Sequence, residues 1–404
     1  MEPKKLNVDI LIVGGGLIGA SLMLALKNSG VSTLLIESKL TYEKEEDFDA
    51  RTLALSPSSM RILKCIHLWE ELEPDITPIN MIHISQKASF GLATLKSEKE
   101  PLGYVVEMQH LQKIFHKKLS SEKILNSARL INYDREKKVA VIEKEGEQIT
   151  VIAQLIVAAD GAGSHLREFC KGLNVSEKVY DHVAIVANIG LGRSHNYCAY
   201  ERFTADGPLA LLPMTRMRSA LVWSLPYGEA KKVMELSDAE FLKKVHQLFG
   251  YRLGKLVKAG KRTLFPLKQS IMTQTISWPF VFIGNAAHTL HPVAGQGFNL
   301  GLRDVATLVQ CIAGKGLNSQ MLEMYQQQRI HDQKAITWLT DNLVELFTNK
   351  LPGLHAARGL GLLALENLPL FKKIVGYYTR GFAGITPDLV CGIPIQHKVS
   401  YGKL

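Results

Sequence analysis

This chain of 404 residues is poor in the features that announce cross-linking, metal binding or phosphate-loop chemistry. Its five cysteines, Cys65, Cys170, Cys198, Cys311 and Cys391, are far apart, with no Cys-x-x-Cys pair. That argues against a disulfide framework and a structural zinc site, and it fits a reducing, cytoplasmic compartment. No Gly-x-x-x-x-Gly-Lys-Ser/Thr occurs, so this is not a P-loop protein. No block of Lys and Arg interleaved with aromatics accompanies the net charge of +10. Nucleic acid is therefore not the expected partner; an anionic cofactor, an anionic membrane surface or plain solvated charge accounts for the excess. No apolar stretch reaches the ~20 residues of a membrane span. The nearest, Ile10 to Leu26, is bordered by Asp9 and interrupted by Gly14-Gly15-Gly16. Internal repeats and low-complexity segments are absent. What remains is a globular composition, 46% hydrophobic and 21% charged, long enough for two or three domains.

The informative residues begin at once. Val8 to Val13 is an apolar run suited to a central parallel strand. Gly14-Gly15-Gly16-Leu17-Ile18-Gly19 follows, then a helical pattern closed by Gly30, then a second strand, Thr33 to Ile36, with Glu37 at its end. This is Gly-x-Gly-x-x-Gly in a strand-turn-helix setting. Gly14 makes the tight turn, Gly16 admits a pyrophosphate, Gly19 allows close helix packing, and Glu37 can accept from a ribose hydroxyl. A carboxylate there favours FAD or NAD over NADP. Further on, Arg51 could lie over a phosphate or a ring, or on the surface. Gln154 to Ala159 reads as another buried strand, ending in Asp160-Gly161 with Arg167 beyond. That turn suits a second nucleotide contact, or is a strand-to-helix turn capped by Asp160.

A third motif follows the apolar run Phe280 to Ile283. Gly284-Asn285 leads into the segment His288-Thr-Leu-His291-Pro292-Val-Ala-Gly295-Gln296-Gly297-Phe298-Asn-Leu-Gly-Leu-Arg-Asp304. Pro292 fixes the backbone, while Gly295 and Gly297 let the main chain approach a flat ligand. Helical spacing begins near Phe298, so a helix N-terminus, with free N–H groups and partial positive charge, should lie beside this turn.

Between His182 and Thr275 five strand-like segments alternate with turns, interrupted by one helix opened by the capping box Ser237 to Glu240. The expected fold is α/β: a Rossmann-like nucleotide-binding domain, an inserted, mostly antiparallel β-sheet domain for substrate, and C-terminal helices. The expected boundaries are 1–75, 101–181 and 276–346 for the first, 76–100 and 182–275 for the second, and 347–404 for the last. The last segment is rich in Leu, with Lys372, Lys373 and Arg380 nearby, a mixture suited to a membrane surface, a partner or a packed helical pair.

Taken in order, the three motifs resemble those of the class A flavin-dependent aromatic hydroxylases, and within them the ubiquinone-biosynthesis hydroxylases that act on polyprenylated methoxyphenols. The resemblance spans roughly Val8 to Leu346. It implies an FAD-binding domain and FAD as the cofactor, with Gly14, Gly16, Gly19 and Glu37 holding the adenosine half. Arg51 would stand beside the phosphates, Gln109 on the flavin side, and Asp160 near both FAD and the incoming NAD(P)H. Gly284 and Asn285 would meet the ribitol, and Pro292, Gly295, Gln296 and Gly297 would line the isoalloxazine. Asn285 departs from the Gly-Asp more usual in the family, though it keeps an acceptor and adds a donor. The implied activity is an NAD(P)H- and O2-dependent monooxygenase acting on a lipid-like phenol. The implied setting is a biosynthetic assembly, with contact at the periphery of the inner membrane. No catalytic side chain is required; His288 and His291 are weak candidates for proton handling. No metal is expected. The other readings on this scaffold are a hydroxylase of a small aromatic, a reductase or oxidase that inserts no oxygen, and a non-catalytic flavin-binding scaffold.

Overall fold

The computed structural model describes residues 4–39, 48–87, 90–119, 122–170, 172–215, 217–290, 296–348, 354–382, 384 and 386–395. His291, Pro292 and Gly295 lie outside the described residues.

Strand Lys4–Val13 pairs in parallel with Glu147–Ala158 on one side and Thr33–Glu37 on the other. Phe280–Phe282 and Ile124–Asn126 extend this sheet, both in parallel. The apolar runs read as central strands because they are buried on both faces, and alternate residues serve different cores. Ile10, Ile12, Leu155, Val157 and Val281 pack with the helices. Leu11, Val13, Ile156, Ala158 and Phe280 pack with Leu130, Tyr133, Ala140 and Ile142 of an antiparallel hairpin, strands Ala128–Asp134 and Val139–Lys144. Helices Leu17–Leu26, Met108–Leu119 and Gln296–Lys315 line the first face.

The second sheet has nine strands and is mostly antiparallel. Its long strands Val175–Leu191 and Thr263–Met272 carry the chain out of and back towards the parallel sheet. Beyond them come Arg218–Pro226, Gly207–Met214 and Cys198–Thr204, then Met81–Gln86, which joins in parallel, and Leu92–Lys96. Two helices rather than the expected one cover its outer face, Tyr227–Met234 and Asp238–Phe249. The second carries the capping box: the Glu240 backbone N–H donates to Ser237 Oγ, and Ser237 N–H donates to Glu240 Oε2 at 3.0 Å. The short first helix hides in the sequence because Pro226 and Gly228 read as turn residues. A three-stranded sheet, Thr52–Leu55, Gly103–Glu107 and Ile76–Ile79, sits between the two large ones.

Helix Ser319–Thr348 packs along Gln296–Lys315 and reaches the second sheet. The helices Leu354–Asn367 and Pro369–Thr379 follow, with Pro369 starting the latter. Leu354–Asn367 lies on strands 92–96 and 81–86: Thr94 N–H donates to Glu366 Oε2 at 2.7 Å, and a side chain on Gly91 would strike the Gly359 backbone. The close approach of Gly91 to Gly359 thus lets this helix pack on the strands. The chain then returns to the first domain, where Leu389 and Val390 are buried in the helix-side core. Among the described residues no helix is long and apolar enough to cross a membrane.

Candidate flavin site

The glycine turn shows three different uses of a missing side chain. Gly14 has φ +105°, and a Cβ there would lie 2.5 Å from the Ala159 carbonyl oxygen. A Cβ on Gly19 would lie 1.9 Å from the Gly14 carbonyl oxygen, so its absence lets helix Leu17–Leu26 sit against the strand end. Gly16, the residue before that helix, has extended backbone, and a Cβ there would meet nothing within 4 Å. The space in front of the helix N-terminus is open. Gly15 N–H donates to Glu37 Oε2 at 2.6 Å and Lys39 N–H to Oε1 at 2.8 Å. Both oxygens are thereby fixed while keeping lone pairs for a hydroxyl.

The second motif stands beside the first, since a Cβ on Gly14 would come within 2.7 Å of Asp160 Cα. Asp160 Oδ2 accepts from His165 N–H at 3.2 Å, and Oδ1 is buried without a partner. Burial raises this carboxyl above its ordinary value. Arg167 donates to the Ala286 carbonyl at 2.7 Å and so ties the second motif to the third. In the third, Gly284 has φ +57° and lies against Ile18, which also fills the space left by Gly301. Helix Gln296–Lys315 therefore approaches helix Leu17–Leu26 closely. Asn285 is exposed, and a Cβ on Gly297 would lie 3.9 Å from its Oδ1. Gln296 is buried, and among the described residues its Oε1 has no partner.

Arg51 is exposed, at the start of strand Thr52–Leu55, and its carbonyl accepts from Met108 N–H. Gln109 Nε2 donates to Glu107 Oε2 at 3.1 Å. Glu107 in turn forms a buried pair with Arg218, 2.5 Å between Oε1 and Nη2. Neither Glu107 nor Arg218 was singled out in the sequence. They come from separate sheets, and no local spacing links them.

A larger omission lies under the third motif. Asp304 is fully buried. Its Oδ2 is 2.6 Å from His288 Nε2 and accepts from Gly284 N–H at 3.0 Å, while Oδ1 accepts from Arg329 Nε at 2.8 Å. Arg329 also reaches Asp332, which stands 3.2 Å from Arg303 Nε. Burial alone would push the Asp304 carboxyl up. His288, Arg329 and the donated hydrogen bonds overcome it and hold the carboxyl well below the usual carboxylate range. His288 is 1% exposed, and its Nε2 is turned into this cluster. The cluster fastens the Gly284 turn and helix Gln296–Lys315 to helix Ser319–Thr348.

These residues fit a dinucleotide. There is open space at a helix N-terminus, a fixed carboxylate at the end of the second strand, and two buried acceptors, on Asp160 and Gln296, awaiting donors. A family model described as FAD binding domain matches residues 7–339. The chain belongs to that family. The flavoprotein is 32% identical to "Ubiquinone hydroxylase UbiL" of Rhodospirillum rubrum, over 96% of this chain and 93% of the relative. It is 28% identical to the "3-demethoxyubiquinol 3-hydroxylase" of Escherichia coli, over 92% and 98%. The p-nitrophenol 4-monooxygenase PnpA from Pseudomonas putida shares the fold, with a TM-score of 0.73 at 16% identity, covering 94% of this chain and 99% of that one. The protein is an FAD-dependent monooxygenase.

Proposed function

We propose that this monooxygenase hydroxylates a polyprenylated phenol of the 2-polyprenyl-6-methoxyphenol type, in ubiquinone biosynthesis, using NAD(P)H and O2. The observation that carries the reading is the likeness to a ubiquinone hydroxylase over 96% of the chain, which extends through the second sheet and not the cofactor cradle alone. FAD, when bound, supplies the transfer of electrons from NAD(P)H to O2 and of one oxygen atom to the ring. The chain's own part is binding, orientation and electrostatics. The N–H groups after Gly16 would hold the pyrophosphate, Glu37 would accept from the ribose, and Arg51 would stand beside the phosphates. Asp160 would stand near FAD and the incoming NAD(P)H, Gly284 and Asn285 would meet the ribitol, and Gln109, which donates to Glu107, would face the flavin. Gln296 and Gly297 would line the ring, a role that the resemblance also gives to Pro292 and Gly295. The N-terminus of helix Gln296–Lys315 would offer partial positive charge to a bound anionic ring.

The test is product analysis with labelled O2, NAD(P)H and a short-chain 2-prenyl-6-methoxyphenol. One labelled oxygen atom per product is expected. Hydrogen peroxide without labelled product would assign the protein to the reductases or oxidases, and equal turnover of a small polar phenol would remove the lipid.

Substrate delivery is part of the same proposal. Leu360, Leu368 and Phe371 are 61%, 46% and 52% exposed, on helices beside the second sheet and near the exposed Lys373. Apolar side chains beside cations suit a membrane surface or a lipid-carrying partner in a biosynthetic assembly. Removing everything after residue 349 would not isolate this role, because Leu389 and Val390 belong to the main core. The triple change Leu360→Ser, Leu368→Ser, Phe371→Ser leaves that core intact. It is expected to lower turnover of a long-chain phenol presented in vesicles about tenfold, with a soluble short-chain phenol unaffected, on the scale of about one buried apolar side chain spread over three partly inserted ones. Equal losses on both substrates would make these residues ordinary packing.

A further inference from the structure

A carboxylate without a partner among the described residues stands on the inner face of the second sheet. Strand Cys198–Thr204 alternates: Tyr200 packs on Phe249, and Arg202 Nε donates to the Leu248 carbonyl at 2.6 Å, both on the side covered by helices. Ala199, Glu201 and Phe203 therefore turn the other way. Ala199 packs there with Met214 and Ala220 and with Ile79 and Val105 of the three-stranded sheet. On this side Arg218 reaches Glu107, and Asn188 Nδ2 donates to the Phe48 and Ala50 carbonyls, so it is the side that faces the flavin cradle.

Strand register puts Ile84, Glu201, Ala210, Val222 and Val186 in one row across five strands. All five keep partial accessibility, whereas the next row outward, from Gln86 through Phe203 to Ala184, is buried. Glu201 is half-buried, and protein surrounds its carboxyl closely enough to desolvate it. Helix Ser319–Thr348 runs against strands 198–204 and 207–214, over this region. Among the described residues no hydrogen bond or ion pair reaches the Glu201 carboxyl, and the other four members of the row are apolar. An unpaired carboxylate so placed is costly to the fold. It fits a ligand that is apolar except for one hydroxyl donor.

We propose that Glu201 is a catalytic residue that receives the phenolic hydroxyl of the substrate. It accepts the hydrogen bond on binding and the proton as the ring takes up oxygen. The phenol O–H bond breaks, its electron pair moves into the ring, and that electron density forms the new carbon–oxygen bond as the O–O bond of the O2 reduced by NAD(P)H breaks and its other oxygen leaves as water. The proton held on Glu201 then returns to the ring oxygen as the hydrogen on the hydroxylated carbon leaves to solvent. Burial pushes the Glu201 carboxyl up to about 7, close to where a general base works best near neutral pH.

The proposal rests on the phenol reading above, and the test separates the two. The holoenzyme is titrated by calorimetry with 2-methoxy-6-prenylphenol and with its O-methyl ether, which lacks the donor. The wild type is expected to prefer the phenol roughly tenfold or more. Glu201→Leu should abolish the preference. Glu201→Gln should keep part of it, through the amide oxygen, while turnover falls about 100-fold. A wild-type protein that does not distinguish the two ligands overturns both the phenol reading and the role of Glu201. A preference that survives in Glu201→Leu, or full turnover in Glu201→Gln, overturns the role alone.

Discussion

Replacing Asp304 with asparagine is expected to destabilise the protein by about 3–5 kcal/mol, the cost of removing one member of a buried ion pair. The side chain keeps its shape and can still accept from Gly284 N–H. What is lost is the charge that Arg329 faces at 2.8 Å, in a place where neither side chain reaches water. Because the same carboxylate holds the Gly284 turn, flavin retention should fall along with the unfolding midpoint. Arg329→Met in the Asp304→Asn background should recover part of the loss, since removing both charges of a buried pair costs less than removing one. Denaturant titration of the two single variants and the double variant measures this. A loss of less than about 1 kcal/mol in Asp304→Asn, the scale of an exposed pair, would show that the cluster is not the fastening described here. The pH dependence has a definite sign. The folded carboxyl lies below its ordinary value. The stabilisation is therefore fully present above about pH 4, the unfolded value, and is lost as pH falls towards the folded one. The difference between wild type and Asp304→Asn should accordingly shrink under strongly acidic conditions.

How far these features can be read from the sequence depends on how local they are. The parallel strands, the glycine turn with Glu37 and the capping box at Ser237 each depend on residues close in the chain, and their periodicity or spacing carries them. Asp304, Arg329 and Asp332 are different. Arg329 and Asp332 sit one turn apart on a long helix of mixed polarity, where such a pair ordinarily reads as a solvated face. Only the packing of that helix on Gln296–Lys315 buries them. Glu107 and Arg218 meet because two separate sheets meet. Glu201 is hidden for a subtler reason. In Tyr200-Glu201-Arg202 polar and apolar positions do not alternate cleanly, so the strand gives no sign of which face is inner. The register with Ala210 and Val222 supplies that.

Gly16→Val is expected to give a folded protein that holds flavin poorly, and the contrast with its neighbours makes the result diagnostic. At Gly14 a side chain would run into the Ala159 and Asp160 backbone, and at Gly19 into the Gly14 carbonyl. Substitution at either damages the strand-helix contact itself, so lost flavin there would say nothing specific about a ligand. Gly16 has φ −63° and ψ 177°, an ordinary extended backbone, and its Cβ would point into open space. Stability of the flavin-free protein should therefore change by no more than about 0.5 kcal/mol, as for a surface substitution. The new side chain would occupy the space in front of the helix N-terminus where the pyrophosphate should lie. Overpacking of that kind costs about 1–3 kcal/mol, which is a loss of roughly tenfold to a hundredfold in FAD affinity. Fluorescence titration with FAD, alongside thermal unfolding of the flavin-free protein, reads the two effects separately. Wild-type affinity in Gly16→Val would place the pyrophosphate elsewhere. An unfolding loss as large as that of Gly19→Val would mean that Gly16 serves the fold rather than the cofactor.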